Sequence, residues 1–179
     1  MIRRIVKSFN SACIDYMFTG ALAASYYGTP RTTMDANVVI RVSLGDEGRE
    51  KLVNALKEAA IQVEGCKIDM TFESGFKIAT FRDNRSPFTL DTIFSKKKLE
   101  KRSGTILGLP TFYQTPEELI LAKLRMIMAT IPRERAFKGK EDVKAILRFT
   151  EVNLEALKKR ACRNNTLPTL ETILMETKG

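Results

Sequence analysis

The sequence predicts an α+β protein, a mixed sheet flanked by helices over residues 1–113 with a helical C-terminal part over residues 114–179. Three observations lead there. A short apolar run ends at Gly20 and feeds a small-residue helix. Between Asn37 and Phe94, β-branched and aromatic residues repeatedly fall at every second place. From Thr115 onward, apolar residues recur with helical spacing.

Ile2 to Ile14 suits a helix, and Tyr16 to Thr19 is a short strand closed by Gly20. Ala21 to Tyr27 then reads as a helix that stops at Gly28, with Pro30 just beyond. Asn37 to Val42 is β-branched and suits a strand. Leu52, Val53, Leu56, Ala59 and Ala60 mark one apolar helix face. Cys66, Ile68, Met70 and Phe72 alternate with Lys67, Asp69 and Thr71, the pattern of a strand with one face buried. Further strands are expected from Phe76 to Phe81 and from Phe88 to Phe94, around a turn at Asp83 to Pro87. Thr115 is placed to cap a helix with Pro116 at its first position and Glu118 closing a capping box. Two or three helices follow, their inward faces carried by Val143, Ile146 and Leu147, then Leu154 and Leu157.

Composition narrows the chemistry. The balance of 44% apolar to 28% charged residues is that of a soluble globular chain. No run approaches the roughly 18 apolar residues of a membrane span. The basic opening lacks a continuous apolar segment, so a cytoplasmic protein is expected. Three scattered cysteines, Cys13, Cys66 and Cys162, favour neither a disulfide framework nor a thiolate metal site, and are read as buried or idle. The chain contains no histidine, which excludes His-ligated zinc, Ser-His-Asp and Cys-His nucleophiles and imidazole bases. Chemistry here must run on carboxylates, lysines, backbone amides and hard metal ions. A net charge of +9 points to an anionic partner such as a nucleotide or nucleic acid.

Three features can meet in one site. The turn at Gly20 and Ala21 opens a helix whose free N–H groups suit phosphate, although such junctions are common as plain topology. Asp35 and Asn37 lie two apart at the start of a strand and share a face, where two hard oxygen donors can take Mg²⁺; a turn feeding a strand leaves the same residues behind. Asp91 sits inside the apolar run Phe88 to Phe94, where aspartate is depleted, so it is either an edge residue or has a functional partner.

Together these residues resemble the nucleotidyltransferase superfamily related to DNA polymerase β. Its pattern of an apolar residue, Gly, Gly or Ser, a spacer, an acid-x-acid pair and a later acid on a strand is matched by Thr19-Gly20-Ala21, Leu22 through Met34, Asp35-Ala36-Asn37 and Asp91. The run from Tyr27 through Arg31 and Thr33 to Asp35 is similar to the G-x-x-R-x-T-x-D string of a branch that includes abortive-infection type toxins. Thr115 to Leu124 looks like the family's P-E-x-L-I-x-x-K-L helix, and Lys138 to Leu147 resembles a K-D-x-x-D-[IV]-x-x-L-L segment, with Asp142 kept and Gly139 in place of the first Asp.

The resemblance implies transfer of a nucleotidyl group from a nucleoside triphosphate to a hydroxyl. Mg²⁺ or Mn²⁺ would be held by Asp35, Asn37 and Asp91, with Gly20, Ala21, Arg31 and Lys123 facing the nucleotide. It also implies an acceptor such as tRNA, another RNA or a protein, and a toxin opposed by an antitoxin protein. Read on its own, Lys123 emerges from an apolar helix face and either meets phosphate or snorkels; it wants a negative partner. Two departures matter. Ala21 for the second Gly or Ser is mild. Asn37 for the second acid removes a charge, leaving a slow enzyme or a nucleotide-binding relic as alternatives. A basic RNA-binding module, drawing on Lys96, Lys97, Lys98, Lys101 and Arg102 among others, is the third reading.

Overall fold

In the computed structural model, residues 1–28, 30, 32–41, 46–64, 68, 71, 78–132 and 136–178 are described. They divide into two units, one of Met1–Leu22 with Thr32–Gln114 and the other of Ala23–Arg31 with Thr115–Gly179.

The first unit is built on β1 (Tyr16–Thr19), whose four residues are all buried, as a near-continuous apolar run in a central strand requires. β1 pairs antiparallel with β2 (Asp35–Arg41), and β2 pairs parallel with β5 (Thr89–Ser95). β3 (Ile61–Gln62), β4 (Ile78–Asp83), β6 (Lys101–Ile106) and β7 (Leu109–Gln114) complete a seven-stranded mixed sheet in the order β3-β4-β5-β2-β1-β7-β6. The α+β class expected from the sequence is the class observed.

Alternation decides the two faces of this sheet. On one, Ala36, Val38, Ile40, Ala79, Phe81, Leu90 and Phe94 are buried. The other carries Asp35, Asn37 and Asp91, half-buried, and Thr80 and Arg82, exposed. Helix α1 (Ile2–Ser11) buries Ile5, Val6, Ser8 and Phe9, with the Phe9 ring edge-on to Tyr16 at 5.2 Å. The Ser8 hydroxyl donates to the Ala55 carbonyl at 2.6 Å, tying α1 to α3 (Asp46–Glu58). Arg4 reaches from α1 to donate to the Ala59 carbonyl at 2.9 Å and to pair with Asp83, whose side chain is fully buried.

The second unit holds α4 (Pro116–Ala129), α5 (Phe137–Phe149), α6 (Leu154–Arg163) and α7 (Leu167–Lys178), together with most of α2 (Gly20–Tyr26). Val143, Ile146 and Leu157 are buried as expected, while Leu147 is half-buried and Leu154 is exposed. Gly139 lets α5 approach α4, since a Cβ there would stand 3.0 Å from Ile127 Cγ1. Gly28, with φ +107, lies where a Cβ would meet Phe149 Cβ at 2.8 Å. Among the described residues, no helix is long and apolar enough to cross a membrane.

Several expectations need correction. Of the run Cys66 to Phe72 read as a strand, Ile68 and Thr71 are described; both are helical and buried, and the rest lies outside the described residues. The strand expected from Phe76 to Phe81 is seen from Ile78 to Asp83, residues 76 and 77 lying outside the described residues. Thr115 and Glu118 form no capping box: Thr115 makes no side-chain cap bond, and Glu118 pairs instead with Arg160. Of the cysteines read as buried or idle, Cys13 and Cys162 are exposed and free, which leaves the idle alternative for them, and Cys66 lies outside the described residues. The hairpin β6–β7 was not expected at all. Its turn uses Leu107 and Gly108, both at positive φ (50° and 76°), and leucine is a poor signal for that conformation.

The Arg4–Asp83 pair makes acid stability testable. Burial raises the Asp83 pKa, but hydrogen bonds from Ser86 and Arg4 and the charge of Arg4 outweigh it, leaving the carboxyl below its ordinary 3.8. Its stabilising contribution is present above the unfolded value and is lost as pH falls through the folded one. Arg4→Met, which strands the buried carboxylate, is expected to cost about 3 kcal/mol in urea denaturation at pH 7. Asp83→Asn is expected to show a smaller loss of stability than the unmodified chain between about pH 5 and pH 3.

Candidate active site

The parallel register of β2 and β5 sets Asn37 beside Asp91 and Asp35 beside Thr89. Asp35, Asn37 and Asp91 therefore project from one face of the sheet. With strands about 4.8 Å apart and a rise of about 3.3 Å per residue, the Cα atoms of Asp35 and Asp91 stand roughly 8 Å apart, diagonal neighbours. Asp91 is not an edge residue, because β5 lies between β2 and β4.

Each acid is held by its neighbours. The Thr33 hydroxyl donates to Asp35 Oδ1 at 2.5 Å, and Asn37 Nδ2 donates to Asp35 Oδ2 at 2.7 Å. The Thr80 hydroxyl, in register with Asp91 from β4, donates to Asp91 Oδ1 at 2.7 Å. The sequence held a signal for Thr33, two places before Asp35 in the T-x-D string. It held none for Thr80, whose role depends on the β4–β5 register.

Gly20 closes the other side. Its φ of +62 favours glycine, and a Cβ there would lie 3.0 Å from Asn37 Nδ2 and 3.1 Å from Asn37 Cβ. Thr19 pairs in register with Asn37, and its hydroxyl donates to Gln114 Oε1 at 2.5 Å. One row thus crosses four strands: Thr19, Asn37, Asp91 and Thr80. Met17, Val39 and Leu99, with Ile93 and Phe112, form an apolar cluster on the same face.

Of the expected site residues, Gly20, Ala21, Asp35, Asn37 and Asp91 lie together in the first unit. Arg31 is outside the described residues. Lys123 belongs to the second unit, where it is buried and its Nζ donates to Asp142 Oδ2 at 2.6 Å. That carboxylate is the negative partner its burial demands.

The donor set suits Mg²⁺ or Mn²⁺ bound together with a nucleotide. Among the described residues, no three acids, cysteines or histidines gather around one point. Two carboxylates on one face, supplemented by an amide oxygen, match the habit of Mg²⁺ to take one or two carboxylates and draw its remaining ligands from phosphate and water.

No protein-family model matches the sequence, and no curated protein matches it significantly. Solved structures do. The antibiotic-resistance factor ANT(2'')-Ia, determined in solution, superposes with a TM-score of 0.60 at 14% identity over 98% of this chain and 95% of that one. ANT(2'')-Ia in complex with adenylyl-2''-tobramycin gives 0.58 at 12% identity over 99% and 94%. An antigenic nucleotidyltransferase-like protein from Paracoccidioides brasiliensis gives 0.54 at 12% identity over 95% and 88%. Likeness at this identity establishes the fold: the chain has a nucleotidyltransferase-like fold, as the sequence resemblance anticipated.

Two substitution sets test the packing described. Gly20→Ala is expected to cost about 1–2 kcal/mol, from the left-handed backbone and the contact with Asn37. In the Asn37→Ala background part of that cost is expected to vanish, a coupling measurable by urea denaturation. Lys123→Met is expected to cost about 3–5 kcal/mol because it strands the buried Asp142, and Lys123→Met with Asp142→Leu is expected to recover a large part of that loss.

Proposed function

We propose that the chain transfers a nucleotidyl group from a nucleoside triphosphate to a hydroxyl acceptor, using Asp35 and Asp91. The observation that carries the proposal is their emergence on one sheet face, each held by a threonine hydroxyl, beside the glycine turn at Gly20. The fold shared with ANT(2'')-Ia, a protein solved in complex with adenylyl-2''-tobramycin, supports that reading by analogy.

The acceptor oxygen attacks the α-phosphorus as the bond to the departing pyrophosphate breaks, and the hydroxyl proton leaves by way of Asp91. Asp35 is fixed by Thr33 and Asn37, oriented to hold the cation that a bound triphosphate needs. Gly20 keeps the space against Asn37 open. Asp35, Asn37 and Asp91 would hold Mg²⁺ or Mn²⁺, which would supply positive charge to offset the charge that collects on the pyrophosphate. The likeness of the Gly28 to Asp35 string to the toxin branch extends the proposal to a tRNA, other RNA or protein acceptor and to an antitoxin partner.

A specific observation favours a second reading, a nucleotide-binding protein of impaired chemistry. Where the family has a carboxylate, Asn37 supplies no charge, and its amide donates to Asp35.

Labelled nucleoside triphosphates with Mg²⁺ or Mn²⁺ separate the two. Asp35→Asn and Asp91→Asn are each expected to lower transfer by at least about 10²-fold. Asn37→Asp, restoring the charge, is expected to raise transfer at limiting Mg²⁺ by about tenfold. Transfer seen only in Asn37→Asp would favour the impaired protein; neither transfer nor nucleotide binding in any variant would sink both readings.

A further inference from the structure

The open face carries a cation that the proposed chemistry leaves unused. On β4, Ile78, Thr80 and Arg82 alternate outward and are exposed. Thr80 stands in register with Asp91, and Arg82 with Thr89, itself in register with Asp35. Arg82 is therefore the diagonal cross-strand neighbour of Asp91, about 7–8 Å away, within the span of a long side chain.

The Arg82 guanidinium nonetheless makes no hydrogen bond or ion pair among the described residues, its backbone alone being paired in the sheet. Asp91 Oδ1 instead accepts from Thr80. Several other cations do take carboxylate partners: Arg4 with Asp83, Lys101 with Asp15, Lys123 with Asp142, Lys144 with Glu141 and Glu176, and Arg160 with Glu118. A guanidinium left unpaired beside the acid that receives the acceptor proton offers two donors in a fixed plane to an incoming anion. It also repels a cation.

Resting on the function proposed above, we propose that Arg82 is a specificity residue that binds a phosphate next to the reacting hydroxyl. The acceptor is then a phosphate-bearing hydroxyl compound and not a polycationic amino sugar of the kind found in adenylyl-2''-tobramycin. That chemistry occurs at the 3′ end of a polynucleotide, where a phosphodiester flanks the terminal ribose, and in a free nucleoside monophosphate. The net charge of +9 supports attraction of either.

The test is binding, so it does not depend on turnover. A 5′-labelled oligoribonucleotide with a free 3′-hydroxyl, adenosine monophosphate and tobramycin are titrated against the full chain. The same titrations are run with Arg82→Ala and Arg82→Lys, and with Arg85→Ala as a control at another exposed arginine, in the turn that follows β4. We expect Arg82→Ala to weaken the phosphate ligands at least tenfold, Arg82→Lys to recover part of the loss, and Arg85→Ala to change little. Weakening for the oligonucleotide alone marks a polynucleotide end as the acceptor; weakening for both marks a small phosphate. Equal effects of Arg82→Ala and Arg85→Ala, no binding of either phosphate ligand by the unmodified chain, or tighter binding of tobramycin each overturn the inference. A parallel titration with ATP and Mn²⁺ reports on the underlying reading: nucleotide binding that survives while the Arg82 effect is absent rejects this inference alone.

Discussion

The parallel register between β2 and β5 is the constraint on which the rest depends. Because side chains alternate along a strand, a slip of one residue would send Asp91 to the helix-covered face and leave Asp35 without its diagonal partner. The register is fixed by what lies on the other side of the sheet. Ala36, Val38 and Ile40 of β2, and Leu90 and Phe94 of β5, are buried there, so the same slip would expose them. The apolar face holds the acids in place without touching them.

The chain handles buried charge consistently. Asp83 is fully buried and takes both a cation and a hydroxyl, and Asp142 is paired with Lys123. One pair knits α1 to the end of β4, far apart in sequence, and the other joins the consecutive helices α4 and α5. Breaking either from one side is costly because the remaining charge has no water to replace its partner. Asp91 on the open face is different, being half-buried and accepting from the uncharged hydroxyl of Thr80. A neutral donor fixes the geometry of a carboxylate without cancelling its charge.

Much of this was legible in the sequence because the signals were local. The Tyr16 to Thr19 strand, the Gly20 turn, the alternation through Phe88 to Phe94 and the shared face of Asp35 and Asn37 each follow from backbone preferences that a few neighbours determine. What was missed depended on pairing across distance. β6 is polar, with Lys101, Arg102, Ser103 and Gly104, and is held as a strand by its register with β7. Alternation from Cys66 to Phe72 could not distinguish a strand from a helix, since a short apolar run serves both; Ile68 and Thr71 are helical. Glu118 matched the capping-box spacing, yet Arg160, a residue more than forty places away in sequence, offered it a charge-assisted bond. The contact of Thr80 with Asp91 likewise arises only once β4 and β5 are paired.

Asn37 shows how position and charge can be separated at one residue. Gly20 packs against it closely enough that a Cβ would press on Asn37 Cβ and Cγ, so the pocket constrains the shape of the side chain, which aspartate shares. The difference between the two lies in charge and in hydrogen-bond sense. Asparagine donates to Asp35, whereas a carboxylate in its place would repel Asp35 unless a cation stood between them. With asparagine the pair is joined by a hydrogen bond, whereas with aspartate two like charges would stand side by side, a cost that a cation or a shared proton would offset. This residue therefore sets charge against a direct hydrogen bond at one position of the face.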